Sequence, residues 1–522
     1  MSIFTRNQHL GLASLILSLS ILLSRFMGLI RFKVISYFYG VNIDTDIYFA
    51  AFAIPDFINY LLAGGYFSIT LIPLLSESFA KDQDDAWTFY SAVFNWVSLA
   101  ILSLTVVAWI FAFELARFSF PLLSVSELER LTYYTRIILP AQAMFLPGAC
   151  FTALLYLRKQ FVVPALTPLI YNGSIILGGI GAYYFVPDAG MEGFCWGVVV
   201  GAGLGSLILP YFTALSGGLK LRLALFHPLL KRFIILALPL MLGQSIVALD
   251  EQMLRIFGGL AAVGSVSLLS YAQKVMQVPV AVFAQAAGAA SYPFLASLAA
   301  KGDEVAFSET LARSLKNTFL MITPVAVLMI VTAEPIIKLL FEQGEFKNTL
   351  ECAILLQIML LVVPLWGVQQ LLGRAFYSRQ DTLTPAILGT ITTAVSVFFY
   401  WQGAVRYGAR GVAIATCIAL FLYTFALIVV WSFKFGSRVF SGIKLTLLKS
   451  LGSSILAGLV SHFLFISIYY SNEFQTIVGN KFLFAFLTLC LVSFVFALVH
   501  LSCNKVLGLP FLPLMFFSKK NK

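Results

Sequence analysis

Long apolar stretches separated by short polar turns run along almost the entire chain. An apolar run of roughly 20 residues is long enough to cross the hydrocarbon core of a bilayer as an α-helix. The pattern therefore predicts an all-α polytopic membrane protein with about 14 transmembrane helices. The predicted spans are residues 10–38, 45–75, 86–114, 131–157, 164–185, 190–215, 233–259, 263–299, 312–333, 351–378, 384–402, 408–433, 450–470 and 482–503.

Composition and charge support this prediction. Of the 522 residues, 60% are hydrophobic and 11% are charged, against roughly 25% charged residues in a typical soluble domain. Of the loop Lys and Arg residues, 20 fall on the side of both termini and 7 on the other side. Cytoplasmic loops carry the excess of Lys and Arg, so both termini are predicted to be cytoplasmic. The net charge of +11 then reflects topology rather than binding of nucleic acid.

The most polar connection in the first half is SGGLKLRLALFHPLLKR, residues 216–232, which follows the sixth span. It divides the first twelve spans into six and six, as expected for a two-lobe transporter built from repeats. The last two spans carry no Asp, Glu, Lys or Arg and are predicted to face lipid. Their His462 and His500 are interpreted as hydrogen-bonded packing residues. The predicted organisation is an N-lobe (1–215), an inter-lobe connection (216–232), a C-lobe (233–433) and a C-terminal helix pair with a cytoplasmic tail (434–522).

The first span contains cations in the segment SRFMGLIRFK, residues 24–33. A charge at the bilayer centre costs about 2.5 to 3.5 kcal/mol on insertion scales, so such residues normally face protein or a watery cavity. At about 100° per residue, Arg25, Gly28 and Arg31 share one arc of a helix. Arginine suits bidentate recognition of phosphate, which predicts an anionic ligand. The alternative is that these arginines pair with Asp46 or with backbone carbonyls and only hold helices together.

A second group of charges lies in the seventh and eighth spans. Glu251 and Arg255 are four residues apart, a spacing that allows a pair within one helix. Asp250 would then be left to meet Lys274 of the next span. Lys274 is either such a partner or a second contact for an anion.

Nothing in the sequence predicts catalytic chemistry, a cofactor or a bound metal. The six cysteines occur singly without a CxxC pair, as expected of buried apolar cysteines. The DTD sequence at 44–46 opens the second span, where an aspartate can cap a helix. No constellation of acids, His or metal ligands is found at one membrane face, so the chain is predicted not to be an enzyme.

Several segments together resemble the MurJ (MviN) family of lipid II flippases, which belongs to the multidrug/oligosaccharidyl-lipid/polysaccharide exporter superfamily. The similarity runs over most of residues 10–433. It is carried by SRFMGLIRFKVISYFYG, TDIYFAAFAIPD, GGYFSITLIPLL, LFEQGEF and GRAFYSRQDTLTP.

The resemblance implies two six-helix lobes around a central cationic cavity, with two C-terminal helices forming a groove for a polyprenyl tail. It also implies alternating-access transport of an undecaprenyl-diphosphate-linked peptidoglycan precursor from the inner to the outer leaflet of a bacterial cytoplasmic membrane. Ser24, Arg25, Arg31 and Asp46 match family motif positions, and the arginines are candidates for contacting the diphosphate. The expected partners are this lipid-linked precursor and membrane lipids. The full set of predicted substrate-binding residues is Ser24, Arg25, Gly28, Arg31, Asp46, Arg255 and Lys274.

The chain departs from the family pattern at four positions. Asn59 stands where an Arg is usual, and Gly64 where a Glu is usual. In the eighth span, Lys274 and Gln277 stand in place of an Arg and a Glu. Arg255 is predicted to return a cation to the second half of the cavity. The alternatives to a lipid II flippase are an exporter of another polyprenyl-diphosphate-linked glycan and a membrane scaffold that transports nothing.

Overall fold

The computed structural model describes residues 10–63, 66–441, 443–470 and 480–509. Every regular element in these ranges is helical, which confirms the predicted all-α fold class. The chain forms two compact units, Met1–Ser267 and Leu268–Lys522. The predicted lobes are defined by groups of six spans, whereas these two units are defined by compactness. The bounds of the lobes therefore stay a prediction.

The first unit contains twelve helices in its described part and the start of the thirteenth. These are α1 (Leu10–Tyr39), α2 (Ile43–Ala50), α3 (Ala53–Ala63), α4 (Tyr66–Lys81), α5 (Gln83–Ile110), α6 (Ala112–Ser119), α7 (Val125–Ile138), α8 (Pro140–Leu157), α9 (Val162–Phe185), α10 (Glu192–Gly201), α11 (Leu209–Ser216), α12 (Pro228–Gly258) and α13 (Ser265–Pro279). A π-helical segment, Ala202–Ile208, joins α10 to α11.

The second unit holds the rest of α13 and the remaining helices. These are α14 (Ala286–Lys301), α15 (Glu304–Val331), α16 (Ala333–Phe341), α17 (Thr349–Leu360), α18 (Val363–Ser378), α19 (Leu383–Phe435), α20 (Arg438–Ser441), α21 (Lys444–Tyr469) and α22 (Lys481–Leu507). A second π-helical segment, Val280–Gln285, joins α13 to α14.

Nine helices of the described ranges are long and apolar enough to cross a membrane, or ten if the bent pair α17 and α18 is one span. Helix α19 runs over 53 residues but reverses at Gly408, whose φ of +57° is a conformation that favours glycine. Beyond this point the chain folds back, since Tyr400 Oη donates to Thr416 Oγ1 at 3.1 Å and Tyr423 Oη to the Pro385 carbonyl at 3.2 Å. The count of 14 spans stays a prediction.

Helices α9 and α10 pack closely along a row of glycines. Glycines recur at every fourth position from Gly193 to Gly205, and they face the backbone of α9. A Cβ atom on Gly197 would lie 2.6 Å from Ile175 Cα and 2.6 Å from the Ser174 carbonyl oxygen. Without side chains between them the two backbones approach closely, as small residues allow in membranes.

Local features recur in the two units at a constant sequence separation. Asp82 and Asp303 each cap the start of a long helix, α5 and α15. The non-glycine residues with positive φ in the described chain, Lys159 at +56° and Gln380 at +60°, follow an arginine in both places. This recurrence supports the predicted construction from repeats.

The two arginines at these turns are held differently. Arg158 donates to the Ala214 carbonyl at 3.1 Å and lies over the Trp87 ring. Arg379 forms an ion pair with Glu304, and its guanidinium lies 4.3 Å from the ring centroids of both Phe307 and Phe435. Both side chains tie a short turn to the helices beside it.

The connection between α11 and α12 lies along α5 in an extended conformation. The Asn95 amide donates to the carbonyls of Arg222 (3.0 Å) and Ala224 (2.9 Å), and the Trp96 indole donates to Leu225 (2.8 Å). Arg222 also forms an ion pair with Asp84 at 2.6 Å. Helix α5 therefore satisfies the backbone groups of this segment.

Helices α21 and α22 pack against each other, and α21 also packs on α15. Between them Asn504 Nδ2 lies 3.0 Å from His500 Nε2, and Ser453 Oγ lies 2.9 Å from Asn504 Oδ1. His500 is thus a hydrogen-bonded packing residue, as predicted. Large apolar side chains such as Phe463 and Phe494 are exposed on these helices, as the lipid-facing prediction requires.

We expect Gly197→Ala to destabilise the protein, because its methyl group would meet the backbone of α9. Overpacking of this kind typically costs about 1 to 3 kcal/mol. The measurement is thermal unfolding in detergent. Gly181→Ala on α9 is the matched control, because nothing lies within 4 Å of its Cβ position. Equal melting temperatures for the two variants would contradict the close approach.

Asp381, in the turn between α18 and α19, should make stability depend on pH. Its partial burial acts to raise its pKa, but hydrogen bonds from Lys434 and Thr384 outweigh this and hold the pKa below the usual value. The stabilisation by the ionised carboxylate is therefore present at neutral pH and is lost as the pH falls below about 4.

The measurement compares the melting temperatures of the wild type and Asp381→Asn between pH 7 and pH 3. The variant should melt lower at pH 7, and the difference should close on acidification. Asp188→Asn, which removes an exposed carboxylate, is the control. A difference between wild type and Asp381→Asn that is independent of pH would show that the charge is unimportant.

Candidate functional site

The predicted residues of the first span lie on the regular helix α1, so Arg25, Gly28 and Arg31 share one side of it as expected. Gly28 is buried, Ser24 and Arg31 are half-buried, and Arg25 is exposed. Helix α1 packs along α9, where Ser20 Oγ donates to the Ala165 carbonyl. This packing fixes the face of α1 that carries the two arginines.

Arg31 lies beside the aromatic ring of the next residue in the chain. Its guanidinium lies 5.5 Å from the ring centroid of Phe32, and its buried Nε has no hydrogen-bond partner within the described part of the chain. No carboxylate of these residues lies within ion-pair distance of it. The group therefore keeps hydrogen-bonding capacity for a ligand.

Asp46 lies in the second turn of α2, which begins with a capping box between Asn42 and Thr45. Its carboxylate is buried and accepts hydrogen bonds from the backbone N–H groups of Gly264 (2.5 Å) and Ser267 (2.7 Å) and from Ser267 Oγ (2.5 Å). A carboxylate at this place satisfies the free N–H groups at the start of α13 and complements the helix dipole. Asp46 thus anchors a helix end, and its contact with substrate stays a prediction.

Arg255, near the end of α12, forms an ion pair with Asp56 of α3. Arg255 Nη1 lies 2.6 Å from Asp56 Oδ2 and 3.4 Å from Gln252 Oε1. The side chains of Arg255 and Asp56 are 16% and 24% exposed. The predicted pair of Arg255 with Glu251 falls on a side chain outside the described residues, as does Asp250.

Arg31 and Arg255 both lie in the first unit, and both guanidinium groups have the phenols of Tyr48 and Tyr171 in their neighbourhood. Lys274 is half-buried on α13 in the second unit, and Arg374 in the same unit donates to the Gln285 carbonyl at 3.1 Å. Within the described ranges, no three His, Cys, Asp or Glu side chains converge as a metal site.

Sequence reasoning missed two partners. Asp56 lies inside the second predicted span, 45–75, but no helical period relates it to Arg255. Likewise no sequence pattern relates Asp46 to Ser267, because the two residues are 221 positions apart. Of the departures from the family pattern, Asn59 and Gln277 are half-buried, and Gly64 lies outside the described residues.

Long apolar helices that carry arginines on their faces define a multi-pass membrane protein. The fold resembles a solved structure titled "Lipid II flippase MurJ, inward closed conformation", with a TM-score of 0.74 and 24% identity over 92% of this chain and 98% of that one. An inward-facing multidrug resistance MATE family transporter of the MOP superfamily shares the fold at a TM-score of 0.65 and 14% identity, covering 82% of this chain and 98% of that chain.

The chain belongs to the MurJ family, because the family profile described as "Lipid II flippase MurJ" matches residues 35–487. "Probable lipid II flippase MurJ" of Borreliella burgdorferi is 25% identical over 509 residues, covering 95% of this chain and 96% of that protein. "Lipid II flippase MurJ" of Burkholderia cenocepacia is 28% identical over 408 residues, covering 73% of this chain and 76% of that protein. The resemblance noted from the motifs is confirmed.

We expect Arg31→Ala and Arg25→Ala each to reduce transport at least about tenfold without lowering the amount of protein in the membrane. Lysine at either position should restore little, because an ammonium cannot form the bidentate pair that a guanidinium makes with phosphate. The measurements are complementation of a depleted strain and the membrane level of each variant. Arg117→Ala, which removes an exposed arginine of α6, is the control. Full activity of both alanine variants would exclude a role in binding.

Proposed function

We propose that this chain is a lipid II flippase, which moves the undecaprenyl-diphosphate-linked peptidoglycan precursor from the inner to the outer leaflet of a bacterial cytoplasmic membrane. Membership of the MurJ family is the observation that carries the proposal. The neighbouring transporter folds support alternating access as the mechanism. Both termini are proposed to be cytoplasmic, as the distribution of Lys and Arg indicates.

Recognition of the substrate is proposed to rest on charge. A lipid diphosphate is a compact anion, and Arg groups in a poorly solvated interior bind it through charge-assisted hydrogen bonds. Arg31 and Arg255 supply such groups in the first unit, and the absence of a carboxylate within ion-pair distance of Arg31 among the described residues supports this assignment. Lys274 is proposed as a cation of the second unit. Ser24, Arg25, Gly28 and Asp46 complete the proposed set.

The protein is proposed to transport without chemical change of the lipid. Binding in one state and release in the other require only that the cavity open to each leaflet in turn. We propose that the two lobes enclose the cavity and that the C-terminal helix pair is a surface for the polyprenyl tail. Exposed apolar side chains on α21 and α22 support that role.

Depletion in the native cell tests the proposal, because a block in flipping should leave lipid II in the inner leaflet. We expect lipid II to accumulate, and the wild-type gene or Arg117→Ala to reverse the accumulation. Accumulation of another polyprenyl-diphosphate-linked glycan would instead identify an exporter of that glycan. No lipid-linked intermediate accumulating would contradict transport and favour a scaffold.

A further inference from the structure

We propose that Asp56 is an exchangeable counter-ion: its carboxylate neutralises Arg255 in the empty carrier, and the diphosphate of the substrate displaces it. The inference rests on the proposed function, since it concerns how the same anionic ligand is received. It assigns to Asp56 a positioning role that acts through Arg255.

The geometry of the pair is the first observation. Arg255 Nη1 and Asp56 Oδ2 are 2.6 Å apart, and among the ion pairs of the described residues this is the one in which both side chains are mostly buried. A guanidinium inside membrane helices needs such a partner when no ligand is present. Neither side chain is fully enclosed, so a ligand can still reach the pair.

The surroundings of the pair indicate which ligand can compete. Arg31 and Arg255 both have the phenols of Tyr48 and Tyr171 in their neighbourhood, so the two guanidinium groups lie in the same part of the first unit. The carboxylate of Asp46 accepts its hydrogen bonds from Gly264 and Ser267. Among the described residues, Asp56 pairs with Arg255 and no carboxylate lies within ion-pair distance of Arg31. A diphosphate carries the charge to engage both arginines.

The carboxylate of Asp56 then has two effects: it stabilises the carrier without substrate, and it opposes binding of the diphosphate. While Asp56 remains beside Arg255, its negative charge repels the incoming phosphates. Moving Arg255 from the carboxylate to the diphosphate exchanges one charge-assisted bond for another. This keeps binding reversible, whereas an unpaired arginine would hold the lipid more tightly and release it more slowly.

The test measures the affinity of the purified full-length protein for farnesyl diphosphate in detergent at constant ionic strength. Asp56→Asn should bind the probe about tenfold more tightly than the wild type, equivalent to about 1.4 kcal/mol. In the double variant Asp56→Asn/Arg255→Gln this gain should disappear, because the gain acts through Arg255. Asp84→Asn, which removes the partner of Arg222 in the first turn of α5, should leave the affinity unchanged.

A purely structural ion pair gives a different result: Asp56→Asn would lower the melting temperature and bind the probe no more tightly than the wild type. That outcome overturns the exchange while leaving the proposed function intact. If the wild type binds no prenyl diphosphate at all, the proposed function and this inference both fail.

A second measurement needs no variant. In the wild type, the probe should raise labelling of Asp56 by a hydrophobic carbodiimide severalfold, because a carboxyl released from its arginine becomes accessible to the reagent. Labelling of Asp84 should not change. Unchanged or reduced labelling of Asp56 on addition of farnesyl diphosphate would overturn the exchange.

Discussion

The cost of keeping guanidinium groups among membrane helices governs the interior of this protein. Each arginine there needs a partner, because lipid offers none. The kind of partner differs among three arginines: Arg31 lies beside an aromatic ring, Arg255 pairs with a carboxylate and Arg374 donates to a backbone carbonyl. Each of these partners offsets part of the cost of placing a cation among apolar helices.

Acidic residues at helix starts satisfy backbone groups. Asp46 closes the start of α13 through three hydrogen bonds, and the exposed Asp82 and Asp303 side chains cap α5 and α15. A carboxylate that accepts bonds from backbone N–H groups has fewer lone pairs left for an arginine. Asp46 thus holds the start of α13 to α2 and forms no ion pair with a described residue.

Much of the fold could be predicted from apolar runs, and the shared face of Arg25 and Arg31 followed from one helical period. Such patterns describe a single helix and say nothing of its neighbours. For this reason the pairing of Arg255 with Asp56 and the anchoring of Asp46 by Ser267 could not be predicted, because each joins residues far apart in sequence. The reversal at Gly408 was anticipated only as a boundary between two spans.

The extended segment before α12 bears on how the protein can be divided for expression in parts. Because the segment is polar, the glycines near residue 217 look like a natural place to divide the chain into two fragments. The segment would then belong to the second fragment. Its carbonyls, however, are the acceptors for Asn95 and Trp96 of α5. A first fragment that ended before residue 219 would separate those donors from their acceptors. Fragments meant to assemble in the membrane should be divided after Phe226.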